Sequence, residues 1–120
     1  MIKFDISSLK FNENGLIPAV VQSSSTLEVL MVAWMNEIAI EQTIDTNLAT
    51  FWSRSRNNLW TKGLTSGNTQ MVKSLRFDCD RDCILLLVEP NGPACHTNRR
   101  NCFYTELVEG EEHTILNPEI

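Results

Sequence analysis

A chain of 120 residues with 42% hydrophobic and 21% charged residues has the length and mix of one globular domain, and not of a disordered segment. Fifteen acidic residues against ten basic ones leave a net charge of −5, which argues against a nucleic-acid binder relying on a broad basic surface. No stretch approaches the ~20 apolar residues that span a bilayer, and residues 1–11 lack the apolar run of a signal peptide, so a cytoplasmic protein without membrane contact is expected.

Residues 1–15 are polar and end in the turn signal Asn12-Glu13-Asn14-Gly15. Residues 16–22 are apolar and β-branched, with Pro18 marking an edge position. A serine loop at 23–25 separates them from a second predicted strand at 28–35, so the two form a hairpin with a rather long connection. Asn36 can cap a helix, with Glu37 in its first turn, Ile40 and Ile44 spaced four apart, and Asp45-Thr46-Asn47 at its end. Residues 49–53 and 59–62 are predicted strands joined by a polar turn at Arg56-Asn57-Asn58. The stretch Gly63-Leu64-Thr65-Ser66-Gly67-Asn68 is rich in small donors. Its glycines would let backbone amides approach a phosphate, although such stretches are more often plain turns.

Residues 71–80 alternate as a strand does: Met71, Leu75, Phe77 and Cys79 on one face, Val72, Ser74, Arg76, Asp78 and Asp80 on the other. If the extended form continues, Asp78, Asp80 and Asp82 share a face and Cys79 points away, which suggests two metal positions, or one shared with a second chain. Residues 84–88 read as a strand buried on both faces, with Cys83 before it as core. Residues 103–108 are the last predicted strand. The elements describe an α+β single domain, mainly β, spanning residues 1–120, with its core at about 15–108, one main helix near residues 36–46 and a peripheral tail at 109–120.

The chemistry concentrates in two stretches, 78–82 and 92–104, which hold three of the four cysteines, three aspartates and one of the two histidines. Cytosolic thiols stay reduced, so these cysteines read as metal ligands or core residues, not as disulfides. Cys79, Cys95 and Cys102 can make a three-thiolate zinc site that leaves a fourth position for water. For each cysteine taken singly, a small buried hydrophobe is the commoner role. Asp78, Asp80 and Asp82 suit magnesium, or are a solvated polar face. A calcium-binding loop is rejected, since no glycine follows and no glutamate sits where that loop would end. His96 can shuttle protons, ligate the metal or simply pack. Arg99 and Arg100 offer forked donors to a phosphate, and Arg54, Arg56 and Lys62 form another local cluster of cations in an acidic protein.

Six ordered motifs resemble those of the phosphoribosyl-AMP cyclohydrolases. They are Gly15-Leu16-Ile17-Pro18-Ala19, Val29 through Asn36, Phe51 through Arg56, Leu59 through Gly63 with Thr65-Ser66-Gly67-Asn68, Asp78-Cys79-Asp80, and Gly92 through Thr97 with Cys102-Phe103-Tyr104. The resemblance implies a mixed, mainly β fold in an interlocked homodimer. It implies one Zn2+ per subunit on Cys79, Cys95 and Cys102, the first supplied across the dimer, and Mg2+ on Asp78, Asp80 and Asp82. It implies hydrolytic opening of the purine ring of phosphoribosyl-AMP between N1 and C6, the third step of histidine biosynthesis, with His96 as the candidate proton carrier. The substrate's two phosphates would engage Arg54, Arg56, Lys62, Arg99 and Arg100. Ser55 and the Thr65-Ser66-Gly67 loop would add hydrogen bonds, and Trp52 or Trp60 could stack on the base. Asn98 and Asn101 depart from a usual glycine and serine. Asn tolerates the left-handed backbone, so the loop at 98 need not break. The 11 residues beyond Glu109 cannot hold the pyrophosphohydrolase domain fused to some members, so the monofunctional form is expected.

Three other functions would leave different marks on the sequence. A non-catalytic zinc module bracing a protein–protein surface would show four protein ligands on zinc and no need of magnesium. A zinc deaminase would show His-x-Glu ahead of Pro-Cys-x-x-Cys, and this chain has neither. A small nucleic-acid binder conflicts with the charge.

Overall fold

Every second residue of β1 (Ile17–Ser23) is buried, because successive side chains of a strand leave on opposite faces. β1 pairs antiparallel with β2 (Val29–Met35), as the predicted hairpin requires. On its other side it pairs parallel with β6 (Ile84–Pro90), and β6 pairs antiparallel with β5 (Gln70–Phe77). The result is a mixed sheet in the order β2-β1-β6-β5. The computed structural model describes residues 5–119. Residues 1–4 of the amino-terminal reading and residue 120 of the tail lie outside them.

Pro18 does not mark an edge. β1 is an inner strand, and the proline is tolerated because the ladder to β6 begins one residue later, at Ala19 opposite Ile84. β6 sits between two partners, which explains its continuous apolar run: Ile84, Leu86, Leu87 and Val88 are all buried.

Asn36 caps α1 (Glu37–Thr46), its side chain accepting from the Ala39 amide at 2.8 Å. The helix ends at Asn47, which takes the left-handed conformation and returns its N–H to the Thr43 carbonyl. Ala39 and Ile40 enter the core, and Ile44 packs against it. The chain then forms the hairpin β3 (Thr50–Ser53) and β4 (Asn58–Thr61). The core under the sheet holds Ile17, Met35, Ile40, Phe51, Ile84 and Leu86, all fully buried, each worth roughly 1.5–3 kcal/mol of removal from water. Leu9 joins this core from the amino-terminal segment.

β5 departs from simple alternation. Its register against β6 shifts between Val72 and Ser74, a bulge that reverses parity. Met71 is therefore exposed, whereas Val72 packs on the core along with Leu75 and Phe77, so the predicted grouping of Met71 with Leu75 does not hold. The predicted last strand starts later, as β7 (Thr105–Val108), and pairs with β8 (Glu111–Thr114) inside the predicted tail. Both strands of this hairpin are exposed throughout. Among the described residues, no helix is long and apolar enough to cross a membrane.

Candidate active site

β5 stops at Phe77 because the next residues close a turn on themselves. The Asp78 amide donates to the Cys83 carbonyl and the Arg81 amide to the Asp78 carbonyl, both at 3.1 Å. The Asp78 carboxylate accepts from the amides of Asp82 at 3.0 Å and Cys83 at 3.2 Å. Arg81 sits at φ +62° to make the reversal. The extended form therefore does not continue to residue 82, and strand parity is not what gathers the carboxylates. The turn gathers them instead: ligand oxygens of Asp78, Asp80 and Asp82 lie within 4.8 Å of one another on the surface.

Burial works to raise the Asp78 carboxyl, but hydrogen bonds from Asp82, Cys83 and Arg81 outweigh it and hold the group below its ordinary value. Asp82 is pushed up by its side-chain bond to Asp78, then by burial and by the charges of Asp78 and Asp80. Crowded carboxylates that resist ionising together are a donor set that a hard cation suits.

The second loop closes through remote contacts. The Ala94 amide donates to the Arg100 carbonyl and the Cys95 amide to the Arg99 carbonyl, with Asn98 at φ +66° forming the bend, as the asparagine reading anticipates. The Cys102 amide donates to the Leu30 carbonyl of β2 at 2.8 Å. This folding brings the Cys95 and Cys102 sulfurs near enough to influence one another's ionisation, with the Lys62 ammonium close enough to feel both. Burial opposes ionisation of Cys95, but the Thr97 hydroxyl, donating at 3.1 Å, the Cys102 thiol and the Arg99 charge outweigh it and lower its pKa. Cys102 presents its outer side to solvent, yet burial of its sulfur and the neighbouring Cys95 push the thiol up to about 11. The pair thus favours a thiolate on Cys95 and a proton on Cys102. Burial lowers Lys62, while the two sulfurs work to keep it charged.

Cys79 lies exposed in the acidic turn and does not join this pair. Among the described residues, the one group of three clustered metal-ligating side chains is Asp78, Asp80 and Asp82. His96 is exposed beside Cys95. Cys83 is half-buried, and burial raises its thiol.

A cleft of about 720 Å³ brings together Trp52, Arg54, Ser55, Arg56 and Trp60 of the predicted substrate residues. It adds Trp34, and the Arg54 guanidinium lies 4.8 Å from the Trp34 ring centroid. Trp34 escaped the sequence reading because β2 is apolar at every position and offers no alternation to single out a ligand-facing ring. The remaining predicted contacts sit elsewhere. Lys62 accompanies the thiols. Arg99 donates to the Leu116 carbonyl and lies 4.0 Å from the Tyr104 ring centroid. Arg100 is paired with Glu28.

Thr65, Ser66 and Gly67 are exposed in a loop closed by the Gly67 amide donating to the Gly63 carbonyl. Gly63 is required there. It sits at φ +79°, and a Cβ would meet the Asn68 backbone at 2.1 Å.

Residues 31–104 match the family model described as phosphoribosyl-AMP cyclohydrolase. A Cereibacter sphaeroides protein of that name is 61% identical over 117 residues, covering 98% of each chain. Proteins of the same name from Paracoccus denitrificans and Magnetococcus marinus are 57% and 54% identical over 116 residues. They share 97% of this chain, and 96% and 90% of their own. Similarity of this depth and span makes the chain an enzyme of the hydrolase class. It belongs to the phosphoribosyl-AMP cyclohydrolase family.

Proposed function

We propose that the chain opens the six-membered purine ring of phosphoribosyl-AMP by adding water across the N1–C6 bond, giving the formimino aminoimidazole carboxamide ribotide in the third step of histidine biosynthesis in the cytoplasm. The observation that carries this reading is its agreement with phosphoribosyl-AMP cyclohydrolases along 98% of its length. Ribosylation at N1 leaves the ring electron-poor, so C6 accepts the oxygen of water. The resulting tetrahedral carbon expels N1 as N1 gains a proton. His96, exposed beside Cys95, would be the group that moves that proton. Full turnover in a His96→Ala variant would remove it from the mechanism.

The donor sets fit two different cations. The Cys95–Cys102 pair, with a lowered pKa on one sulfur and Lys62 alongside, suits zinc. Two thiols do not complete such a site, and Cys79 lies on the other loop, which supports a zinc shared with Cys79 of a second copy in a homodimer. When bound, zinc supplies Lewis acidity that makes water nucleophilic at neutral pH. Magnesium would lie among Asp78, Asp80 and Asp82 and offset their mutual repulsion.

In the tryptophan-lined cleft, the indole faces would hold the purine and the Arg54 and Arg56 guanidiniums would meet phosphate. The test is ultraviolet absorbance of the protein with phosphoribosyl-AMP, with zinc and magnesium present and then chelated. Ring opening changes the spectrum, so metal-dependent turnover is expected. Absence of turnover by folded, zinc-loaded protein would contradict the proposal.

A further inference from the structure

Glu28 stands immediately before β2, remote in sequence from both loops, and its backbone is held on both sides. Its amide donates to the Thr26 hydroxyl at 3.1 Å and its carbonyl accepts from the Ser23 amide at 2.8 Å. The side chain is 22% exposed and uses both oxygens. Oε1 accepts from Arg100 Nη2 and Oε2 from Asn101 Nδ2, each at 2.5 Å. Asn101 is itself buried, and its Oδ1 accepts from the Phe103 amide at 2.8 Å. Cys102 lies between these anchors, and its own amide is bound to Leu30 of β2, two residues after Glu28. The Arg100 carbonyl in turn receives the Ala94 amide, which ties the segment before Cys95 to the same turn.

We infer that Glu28 is a positioning residue for the thiol pair: its forked carboxylate fixes Arg100 and Asn101 so that Cys102 stays against Cys95. The functional weight of this rests on the reading of the two thiols as metal ligands. Each carboxylate oxygen faces one donor, the guanidinium on one side and the amide on the other. Glutamine offers one acceptor, and aspartate is a carbon short of the span. This use of Arg100 also fixes its guanidinium against Glu28.

The probe is phenylarsine oxide, whose arsenic exchanges its oxygen for two thiol sulfurs and releases one water, so it binds tightly only where two thiols are held together. The full chain carrying Cys79→Ser and Cys83→Ser leaves only Cys95 and Cys102 to report. In that background Glu28→Ala is expected to weaken arsenical affinity about tenfold, the loss of one charge-assisted contact. The isosteric Glu28→Gln is expected to weaken it roughly threefold, as one acceptor remains. Melting curves establish that each variant is folded at the assay temperature. If Glu28→Ala does not fold, Glu28→Gln decides.

Affinity within twofold of the parent in a folded Glu28→Ala, or unchanged affinity in Glu28→Gln when that variant decides, would overturn the inference. So would a lowered melting temperature with unaltered affinity, which is what a merely structural glutamate would give. A separate cadmium titration of the unaltered chain tests the metal reading. Lack of a thiolate–cadmium absorbance band there would remove that reading, while the arsenical result would still decide the role of Glu28.

Discussion

The acidic turn and the cysteine loop hold their ligand-type side chains by different means. The turn from Asp78 to Cys83 is closed by its own backbone and by the Asp78 carboxylate, with closing bonds that span at most five residues. Arg81 also reaches outside, its carbonyl accepting from the Lys10 amide at 2.8 Å and its guanidinium donating to the Ser8 hydroxyl at 3.1 Å. Its three carboxylates meet within one chain. The loop from Ala94 to Cys102 depends on distant parts of the molecule: Glu28 just before β2 and Leu30 on it, Leu116 near the carboxyl end, and Lys62 just after β4. It brings two thiols together and stops one short of the set a catalytic zinc needs. A locally closed turn carries its whole ligand set in one short motif. A loop anchored from afar divides its supports among segments, and the third thiol that the proposed zinc site calls for sits on the other loop.

Substitutions break this comparison at different points. The largest effect is expected at Cys102→Ser, which leaves one thiol of the pair: turnover followed by ultraviolet absorbance should fall at least ~1000-fold, as loss of a zinc ligand would require. Next comes the acidic turn, where two aspartates of one cluster should separate. Asp80→Asn should cost about 10–100-fold in activity and shift the magnesium requirement upward while leaving the melting temperature nearly unchanged. Asp78→Ala should cost activity and also lower the melting temperature, because the Asp78 Oδ1 that receives both the Asp82 and Cys83 amides is then lost. Equal melting temperatures for the two variants would contradict the local-closure account.

Arg54 belongs to neither loop. Arg54→Ala should raise KM about tenfold with little change in kcat, the signature of lost substrate binding and not of lost chemistry. The smallest effect is expected at Lys62→Met. The ammonium lowers the Cys102 pKa, so its removal should move the thiol pair's titration upward and slow alkylation by iodoacetamide at pH 8 roughly two- to threefold. Faster alkylation would show that the lysine shields the sulfurs instead.

What the sequence made legible follows the same division. The β1–β2 hairpin, the Asn36-capped helix and the buried β6 each rest on local pattern, and each formed as expected. The convergence of the three aspartates was also legible, although for the wrong reason. Strand alternation predicts it, but a self-capped turn produces it, because nothing in Asp-Cys-Asp-Arg-Asp announces that Arg81 will take a left-handed conformation.

The bulge in β5 was hidden for a similar reason: Met71, Val72 and Lys73 contain no glycine or other signal of an extra residue. Pro18 was read from its missing donor alone, and whether that donor was needed depended on where the β6 ladder begins. In the site, Cys95 and Cys102 could be named, but not their contact with Lys62, which lies 33 residues before Cys95. Glu28 gave no signal of its own, since a glutamate beside a strand is ordinarily a solvated charge.

The central claim is that a working thiol site draws Cys95 and Cys102 from one chain and Cys79 from another. The most direct measurement mixes two variants, Cys79→Ser and Cys102→Ser, each inactive alone, by co-refolding them in equal amounts. In a mixed dimer, the Cys102→Ser chain supplies Cys79 to the intact Cys95–Cys102 pair of its partner. One site in each mixed dimer is then whole, and about a quarter of the unaltered protein's activity should return. No recovery on mixing, or full activity in Cys79→Ser alone, would contradict the shared site and return the search for a third ligand to the single chain.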